Sequence, residues 1–185
     1  MPEDARRTSF DLLTRYRTGD REAFGEIYRR HSPGVYRFAL CMTGDATRAD
    51  EVTQDVFVWL VRHPAGFDAT RGELGPYLAG VARKFLQRRQ REERRWAPIG
   101  DEATVDPQDD AQAEMTILRS AIAALPPRYR EVVALCDIEG FTYDEAARTL
   151  ACAPGTVRSR LHRARAFLAA KLQARVASSK AGSLR

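Results

Sequence analysis

The chain has 185 residues, of which 44% are hydrophobic and 30% charged, values that suit a soluble globular protein with one large or two small domains. Its net charge of +5 favours a polyanionic partner, although only weakly. The chain has neither the apolar stretch of a signal peptide nor an uncharged run of about 20 residues, so we expect a cytoplasmic protein without direct membrane contact.

Apolar residues recur with helical spacing nearly throughout, and alternating strand patterns are absent, so the sequence predicts an all-α protein. The three cysteines, Cys41, Cys136 and Cys152, lie far apart among apolar neighbours. They are expected to be small buried side chains, because no Cys or His pair has the spacing of a zinc site. No metal or other cofactor is predicted.

The first predicted domain spans residues 8–96 and contains several amphipathic helices. One apolar stripe consists of Phe24, Ile27, Tyr28 and His31. The next helix is expected to begin at Pro33 and to end at Gly44. In a third helix, Thr47 and Asp50 are able to cap the first turn. Its core-facing stripe consists of Val52, Val56, Trp59 and Leu60.

A basic helix in the run YLAGVARKFLQRRQREERR ends this domain. Its apolar side is formed by Leu78, Val81, Ala82 and Phe85. Its polar side presents Arg83, Gln87, Gln90, Arg91 and Arg94, with Lys84 at the border. Gln and Arg together suit nucleic acid, although a plain surface helix is an equally good interpretation. The preceding loop FDATRGELGPY contains two glycines and could form a pocket for an extruded base.

An acidic segment at residues 97–114 separates the two halves of the chain. Between Ala97 and Thr116 there are six acidic residues and no basic residue. Pro98, Gly100 and Pro107 interrupt the helical spacing, so this segment is predicted to be a flexible linker.

The second predicted domain spans residues 115–175, and residues 176–185 are predicted to be a disordered tail. Its helices are expected in the runs EMTILRSAIAAL, PPRYREVVALCDIEG and TYDEAARTLA, followed by a basic helix from Pro154. Thr142 and Glu145 have the spacing of a capping box. A short helix, a tight connection at residues 151–153 and a second helix together predict a helix-turn-helix.

The basic helix PGTVRSRLHRARAFL is the strongest signal for function, because the chain contains no acidic residue after Glu145 but nine Lys or Arg. On a helical wheel, the core side consists of Val157, Leu161, Ala164 and Leu168. The opposite side consists of Ser159, His162, Arg163 and Ala166, with Arg158 and Arg165 on one flank and Arg160 nearer the apolar edge. Such a helix fits the DNA major groove, where Arg reads guanine, and the alternative is a solvated cationic face.

These runs resemble the extracytoplasmic-function (ECF) sigma factors, promoter-specificity subunits of bacterial RNA polymerase. ADEVTQDVFVWLVRH resembles the polymerase-binding helix of that family. LPPRYREVVALCDIEGFTYDEAARTL, followed by PGTVRSRLHRAR, resembles its region 4 signature. The resemblance extends from about Asp20 to Leu172 and implies two small helical domains, region 2 and region 4. It also implies a protein that directs transcription initiation without being an enzyme.

The resemblance implies three sets of contact residues. For core polymerase, through its β′ coiled coil, they are Glu51, Gln54, Asp55, Phe57, Val58 and Val61. For the −10 element they are Phe67, Thr70, Arg71, Gly72, Arg83, Lys84, Gln87, Arg88 and Arg91. For the −35 element they are Thr156, Arg158, Ser159, Arg160, His162 and Arg163. The β flap of polymerase and an anti-sigma factor are further expected partners.

The chain departs from the usual family pattern at several positions. Lys84 stands where Asn is usual, Tyr77 where Trp is usual, and Arg88 near a usual Asp, so the −10 contacts should differ in detail. Ala146 replaces a usual Ile and Ala151 replaces the turn Gly, which predicts a less tightly packed helix-turn-helix.

Two other functions would need features that the sequence does not show. A helix-turn-helix regulator independent of polymerase would need a ligand pocket or a phospho-acceptor strand in the first half, and neither pattern is present. A nuclease would need clustered carboxylates or a partnered histidine. The pair Asp109 and Asp110 lies in the predicted linker, and the three histidines, His31, His63 and His162, have no partner near them in sequence.

Overall fold

The computed structural model of the protein describes residues 2–96 and 110–182, and in these ranges it is helical without a strand, as the sequence predicted. The helices of the first domain are α1 (Pro2–Arg17), α2 (Arg21–Thr43), α3 (Ala46–Arg62) and α4 (Leu74–Trp96). Two short 3₁₀ turns, Pro64–Gly66 and Ala69–Arg71, connect α3 to α4. The helices of the second domain are α5 (Asp110–Ala123), α6 (Pro127–Val132), α7 (Tyr143–Leu150) and α8 (Pro154–Gly182), and α6 continues as a π-helix over Val133–Ile138.

Helix α2 is continuous, so the prediction that a helix begins at Pro33 is wrong. The helix begins after Asp20, whose carboxylate accepts hydrogen bonds from the backbone N–H groups of Glu22 and Ala23 at 3.0 and 3.2 Å. Pro33 is exposed, whereas Ile27 and Val35 on either side of it are buried. Packing before and after the proline therefore holds the helix together, although one backbone hydrogen bond is lost.

Helix α3 is capped two residues earlier than predicted. Asp45 is the capping residue, and its carboxylate accepts a hydrogen bond from the Arg48 N–H at 3.0 Å, so the predicted role of Thr47 and Asp50 is wrong. The predicted core stripe is largely confirmed. Val52, Val56 and Leu60 are fully buried, and Trp59 is half-buried.

Two helices extend beyond the predicted bounds of the second domain. Helix α5 begins at Asp110, within the predicted linker, and residues 97–109 of that linker lie outside the described residues. Helix α8 continues to Gly182, so residues 176–182 are helical and not disordered as predicted. No Gly or Pro lies between residues 156 and 181 to end the helix earlier, and the last three residues of the chain lie outside the described ranges.

The two domains pack against each other. Helix α4 contacts α7, and α2 contacts α5, α6 and the π-helical segment. The buried side chains of both domains form one apolar cluster, from Leu13 and Phe38 in the first domain to Leu135 and Leu161 in the second. The second domain therefore covers part of the first, an arrangement that sequence patterns did not indicate.

The cysteines are free and half-buried, whereas the sequence predicted burial. Burial raises the pKa of the Cys41 and Cys136 thiols to about 11. No described helix is both long enough and apolar enough to cross a membrane.

Candidate nucleic-acid and polymerase interfaces

The helix-turn-helix is formed by α7 and α8. The Thr142 hydroxyl accepts a hydrogen bond from the Glu145 N–H at 3.3 Å, and the Glu145 carboxylate accepts one from the Thr142 N–H at 2.8 Å. This is the predicted capping box. Ala151 ends α7 with a φ of 53°, a left-handed conformation that is costly for a residue with a Cβ. The turn that follows directs α8 across the domain.

The two sides of α8 are those that the helical wheel predicted. Val157, Leu161 and Ala164 are at most 1% exposed and face the core. The exposed side presents Arg158, Ser159, His162 and Arg163. Because the apolar side faces the core, the basic side of the first half of α8 faces the solvent.

Several arginines of α8 have intramolecular contacts that the wheel does not show. The Arg158 guanidinium lies over the Tyr143 ring, 6.0 Å from its centroid. Arg165 forms an ion pair with Asp137 at 2.5 Å. Arg160 is half-buried and lines a groove of about 1000 Å³ between the two domains, so it does not share the exposed side of Arg163.

Helix α4 presents fewer free cations than the sequence predicted. Lys84 and Arg91 are exposed, as is Arg88, which forms an ion pair with Glu92 at 2.9 Å. Gln87 is half-buried. Gln90 is exposed, as predicted, and the Arg94 side chain lies outside the described part of the chain.

Arg83 does not lie on the exposed side of α4, where the sequence predicted it. Its Nε donates to the Glu131 carboxylate of α6 at 2.6 Å, and the two side chains are only 23% and 10% exposed. In this arrangement Arg83 joins the two domains and is not free to contact DNA. Two charged groups at this depth are stable only because they pair with each other.

The loop between α3 and α4 forms a cavity, as the sequence suggested. The cavity has a volume of about 510 Å³, and Phe67, Arg71, Gly72, Tyr77 and Lys84 are among the residues that line it. Phe67 is 7% exposed and packs against Tyr77 with ring centroids 5.3 Å apart. The Thr70 hydroxyl donates to Asp68 at 2.7 Å, and this bond and one from the Thr70 N–H lower the pKa of the Asp68 carboxyl.

Helix α7 of the second domain lies over the same cavity. Arg148, Thr149 and Ala151 contribute to its lining. The Thr149 hydroxyl donates to the Pro76 carbonyl at 3.2 Å. The Arg148 guanidinium lies beside Gly72, about 3.5 Å from where a Cβ on that residue would be. A base could therefore enter the cavity fully only if α7 moved away.

A second ion pair fixes the domains together. Arg37 of α2 donates two hydrogen bonds, both 2.8 Å long, to the carboxylate of Glu139, whose side chain is 7% exposed. The Arg130 guanidinium donates to the Met42 carbonyl at 3.0 Å. The domain contact is thus polar at its edges and apolar in its centre.

The predicted polymerase-binding side of α3 is mostly exposed. Glu51 and Gln54 are exposed, and Val58 and Val61 are 47% and 42% exposed, which is high for apolar side chains. Phe57 does not belong to this surface. It is 4% exposed and contacts the Tyr28 ring at a centroid distance of 4.7 Å, so it is a core residue.

Sequence reasoning missed Arg89, which neutralises the acidic residues of α3. Its guanidinium donates to Glu51 at 2.6 Å and to Asp55 at 2.8 Å. A signal was available, because Arg89 continues the helical spacing of the apolar residues Ala82 and Phe85 and so had to point toward α3. A partner that binds Glu51 and Asp55 must compete with this arginine.

Comparisons with known proteins agree on the family. Sigma-70 region 2 matches residues 27–96, and sigma-70 region 4 matches residues 115–168. The ECF RNA polymerase sigma factor SigE of Mycolicibacterium smegmatis is 33% identical over 161 residues, which is 80% of this chain but 62% of that protein. The sigma factor EcfG of Rhodopseudomonas palustris is 32% identical over 147 residues, or 76% of this chain and 80% of that protein.

Solved structures share the arrangement of the helices. CnrH, in a complex with the cytosolic domain of CnrY, matches with a TM-score of 0.68 and 26% identity over 92% of this chain and 97% of that one. RpoE of Bartonella quintana, in a complex with the anti-sigma factor NepR, matches with a TM-score of 0.70 and 22% identity over 81% of this chain and 96% of that one. With both sigma regions present in order and relatives that match most of its length, the chain belongs to the ECF sigma factors of the sigma-70 family, the promoter-specificity subunits of RNA polymerase.

Proposed function

We propose that the second domain reads the −35 element with the exposed side of α8. The observation that carries this proposal is the basic surface of Arg158, Ser159, His162 and Arg163 on a helix whose opposite side is fully buried. Arginine can donate two parallel hydrogen bonds to guanine in the major groove, which is worth about 1–3 kcal/mol of discrimination. Phosphate contacts by the other cations would make binding fall with salt.

In the first domain, the loop cavity is proposed to bind an unpaired base of the −10 element. Its aromatic wall of Phe67 and Tyr77 suits stacking, and Lys84 at its edge suits a phosphate. Capture of an extruded base would offset an unstacking cost of a few kcal/mol and so favour strand opening. Arg88 and Arg91 would contact the backbone of the same strand.

Polymerase is proposed to bind the exposed side of α3. Glu51, Asp55 and Gln54 offer acceptors for a basic coiled coil, and the exposed Val58 and Val61 offer apolar contact. The β flap is proposed to bind the second domain. The chain would carry out no bond chemistry itself and would act in the cytoplasm, where the polymerase is.

The packed arrangement is proposed to open on initiation. The two promoter elements are named for positions about 25 base pairs apart, or about 85 Å along B-DNA. A compact chain of this length is only about 40 Å across, so it cannot reach both elements. Polymerase would hold the domains apart, and an anti-sigma factor, as bound by RpoE, would hold them together.

Run-off transcription with purified core polymerase tests the proposal. The chain should associate with core polymerase and direct it to defined start sites on genomic fragments. A chain that binds DNA alone and neither associates with polymerase nor changes its start sites would be an independent regulator. A second arm, with promoters altered only in the −10 or only in the −35 element, assigns each domain to its element.

A further inference from the structure

Arg17 connects α1 to the loop that leads into the base cavity. Its Nε donates to the Pro64 carbonyl at 2.9 Å. Its Nη2 donates to the same carbonyl and to that of Phe67, the latter at 3.3 Å. One guanidinium therefore joins both ends of the four-residue turn at the start of the capture loop, which we define as residues 64–72. Arg17 lies before residue 27, where the region 2 match begins.

The chemistry of this contact suits arginine. Its planar group carries several donors in a fixed fork, so it can bind two separate carbonyl oxygens at once. A lysine ammonium can donate to the same oxygens, but it has no fixed geometry to hold them apart. Each hydrogen bond from a charged donor is worth more than one between neutral groups.

The opposite side of the capture loop is held by close packing. At Gly66 a Cβ would lie 2.8 Å from the Tyr77 hydroxyl and 3.1 Å from the Trp59 ring, so the backbone is pressed against α3 and α4. Phe67 is anchored in the core. Arg17 supplies the polar contact on the α1 side. The turn is therefore fixed between Arg17 on one side and the packed residues of α3 and α4 on the other.

The loop atoms that Arg17 holds come directly before those that line the cavity. Phe67 belongs to both sets, and Asp68, Arg71 and Gly72 follow it in the cavity wall. Recognition of a base needs its contacts held to within about 0.5 Å, which a loop achieves only when it is supported from behind. A shift of the Pro64–Phe67 turn would move this wall.

We propose that Arg17 is a positioning residue, which holds the capture loop in its base-binding shape and thereby determines how sharply the chain distinguishes the unpaired −10 base. The inference rests on the proposed function of the cavity. It adds α1, which would not itself contact DNA, to the machinery of −10 recognition.

The experiment uses holoenzyme reconstituted from core polymerase and a mapped promoter. Forked promoter DNA, with an unpaired non-template strand across the −10 element, carries each of the four bases at each position. Arg17→Ala should lower the preference for the best base over the others by about three- to tenfold, less than the full effect of a charged hydrogen bond, because the packing of Gly66 and Phe67 still supports the loop. Arg17→Lys should recover part of it. Amide hydrogen exchange should become faster in residues 64–72 of Arg17→Ala.

Arg15→Ala is the matched control, because Arg15 is in the same turn of α1 but pairs with Asp20, at 2.6 Å. It should retain the base preference of the wild type. Unchanged base preference in Arg17→Ala would overturn the inference, as would an equal loss of affinity for all bases together with loss of −35 binding. If the wild-type holoenzyme itself has no base preference in the unpaired strand, the proposed function of the cavity is wrong. If the wild type has a preference and Arg17→Ala retains it, only the inference about Arg17 is wrong.

Discussion

Ala151 is a residue whose backbone conformation conflicts with its side chain. It has a φ of 53° at the turn between α7 and α8, and it is the one described residue other than glycine with a positive φ. Glycine adopts this conformation without a steric penalty. The Ala in place of the family's turn Gly therefore costs stability through the backbone. The looser packing that the sequence predicted is not seen at its neighbours, since Ala146 and Leu150 are buried.

Ala151→Gly should raise the stability of the protein. We expect a gain of about 0.5–1 kcal/mol, or about 1–4 °C in Tm, because the left-handed strain is relieved. Thermal unfolding followed by circular dichroism measures it. Ala153→Gly is the control, as it places a glycine in the same turn where no positive φ requires one. Equal shifts for the two variants would contradict the explanation.

His31 is a second residue whose surroundings determine a measurable property. Burial, with a smaller effect of the Arg30 charge, lowers the pKa of His31 to about 4. Its Nε2 lies 3.3 Å from the Ser9 hydroxyl of α1. The imidazole is therefore neutral in the folded protein over the whole range in which an unfolded chain would take up a proton.

Stability should fall as the solution is acidified. His31 contributes fully above the unfolded pKa of about 6.5, and its contribution is lost as the pH falls from there toward 4, because only the unfolded state binds the proton. Between pH 7.5 and 5 the loss should be about 2 kcal/mol by urea unfolding. His31→Gln should reduce this dependence, and His162→Gln, at an exposed histidine, should not. A wild type and His31→Gln with the same pH dependence would refute the assignment.

At the scale of elements, α8 has two roles: one side of the helix packs in the core, and the other side is proposed to bind DNA. Burial of the apolar stripe fixes the rotation of α8 about its own axis, and this rotation determines which residues are exposed. Arg163 lies in the middle of the exposed side and close to the Tyr129 hydroxyl, whose pKa it lowers.

Arg163→Ala should reduce initiation at promoters that depend on the −35 element. A lost bidentate contact of about 1–3 kcal/mol corresponds to roughly 5- to 150-fold. Arg163→Lys should retain the phosphate attraction but not the base preference. Lys171→Ala removes one charge farther along the same exposed side and should have little effect. Single-round transcription on promoters with and without an intact −35 element measures the difference, and full activity of Arg163→Ala on both would exclude the role.

At the scale of the whole molecule, the domain contact uses Arg83, a residue that was expected to face outward. Arg83 pairs with Glu131, and Arg37 pairs with Glu139. Glu131 is among the few charged residues that are buried in the described part of the chain. Because these ion pairs need an exact fit between the two domains, the packed arrangement is specific. It also covers the loop cavity and Arg83, one of the candidate DNA contacts.

A double-mutant cycle on Arg83 and Glu131 should show this contact in the free protein. Arg83→Gln and Glu131→Gln should each destabilise the chain by about 3 kcal/mol, since each leaves a buried charge without its partner. The pair should be coupled by about 0.5–3 kcal/mol, measured by urea unfolding. The control cycle pairs Arg83→Gln with Glu92→Gln, whose carboxylate binds Arg88, and should show no coupling. Zero coupling in the test cycle would mean that the domains do not pack in this way.

The amino-acid sequence by itself determined the helical class, the family, the capping box at Thr142 and the two sides of α8. These are local properties, since 3.6-residue periodicity and capping depend on neighbours within one or two turns of helix. Continuity of α2 through Pro33 was not predictable in this way, because packing on both sides of the proline outweighs its local preference.

Only the tertiary structure decided which charged residues are free. Arg83 and Glu131 are ordinary surface residues by helical spacing in their own segments, yet each lies against another element. The Arg17 contact joins residues 47 positions apart and has no sequence pattern. Ion pairs between distant segments depend on how the helices are placed in space, and a single sequence carries no local signal for that placement.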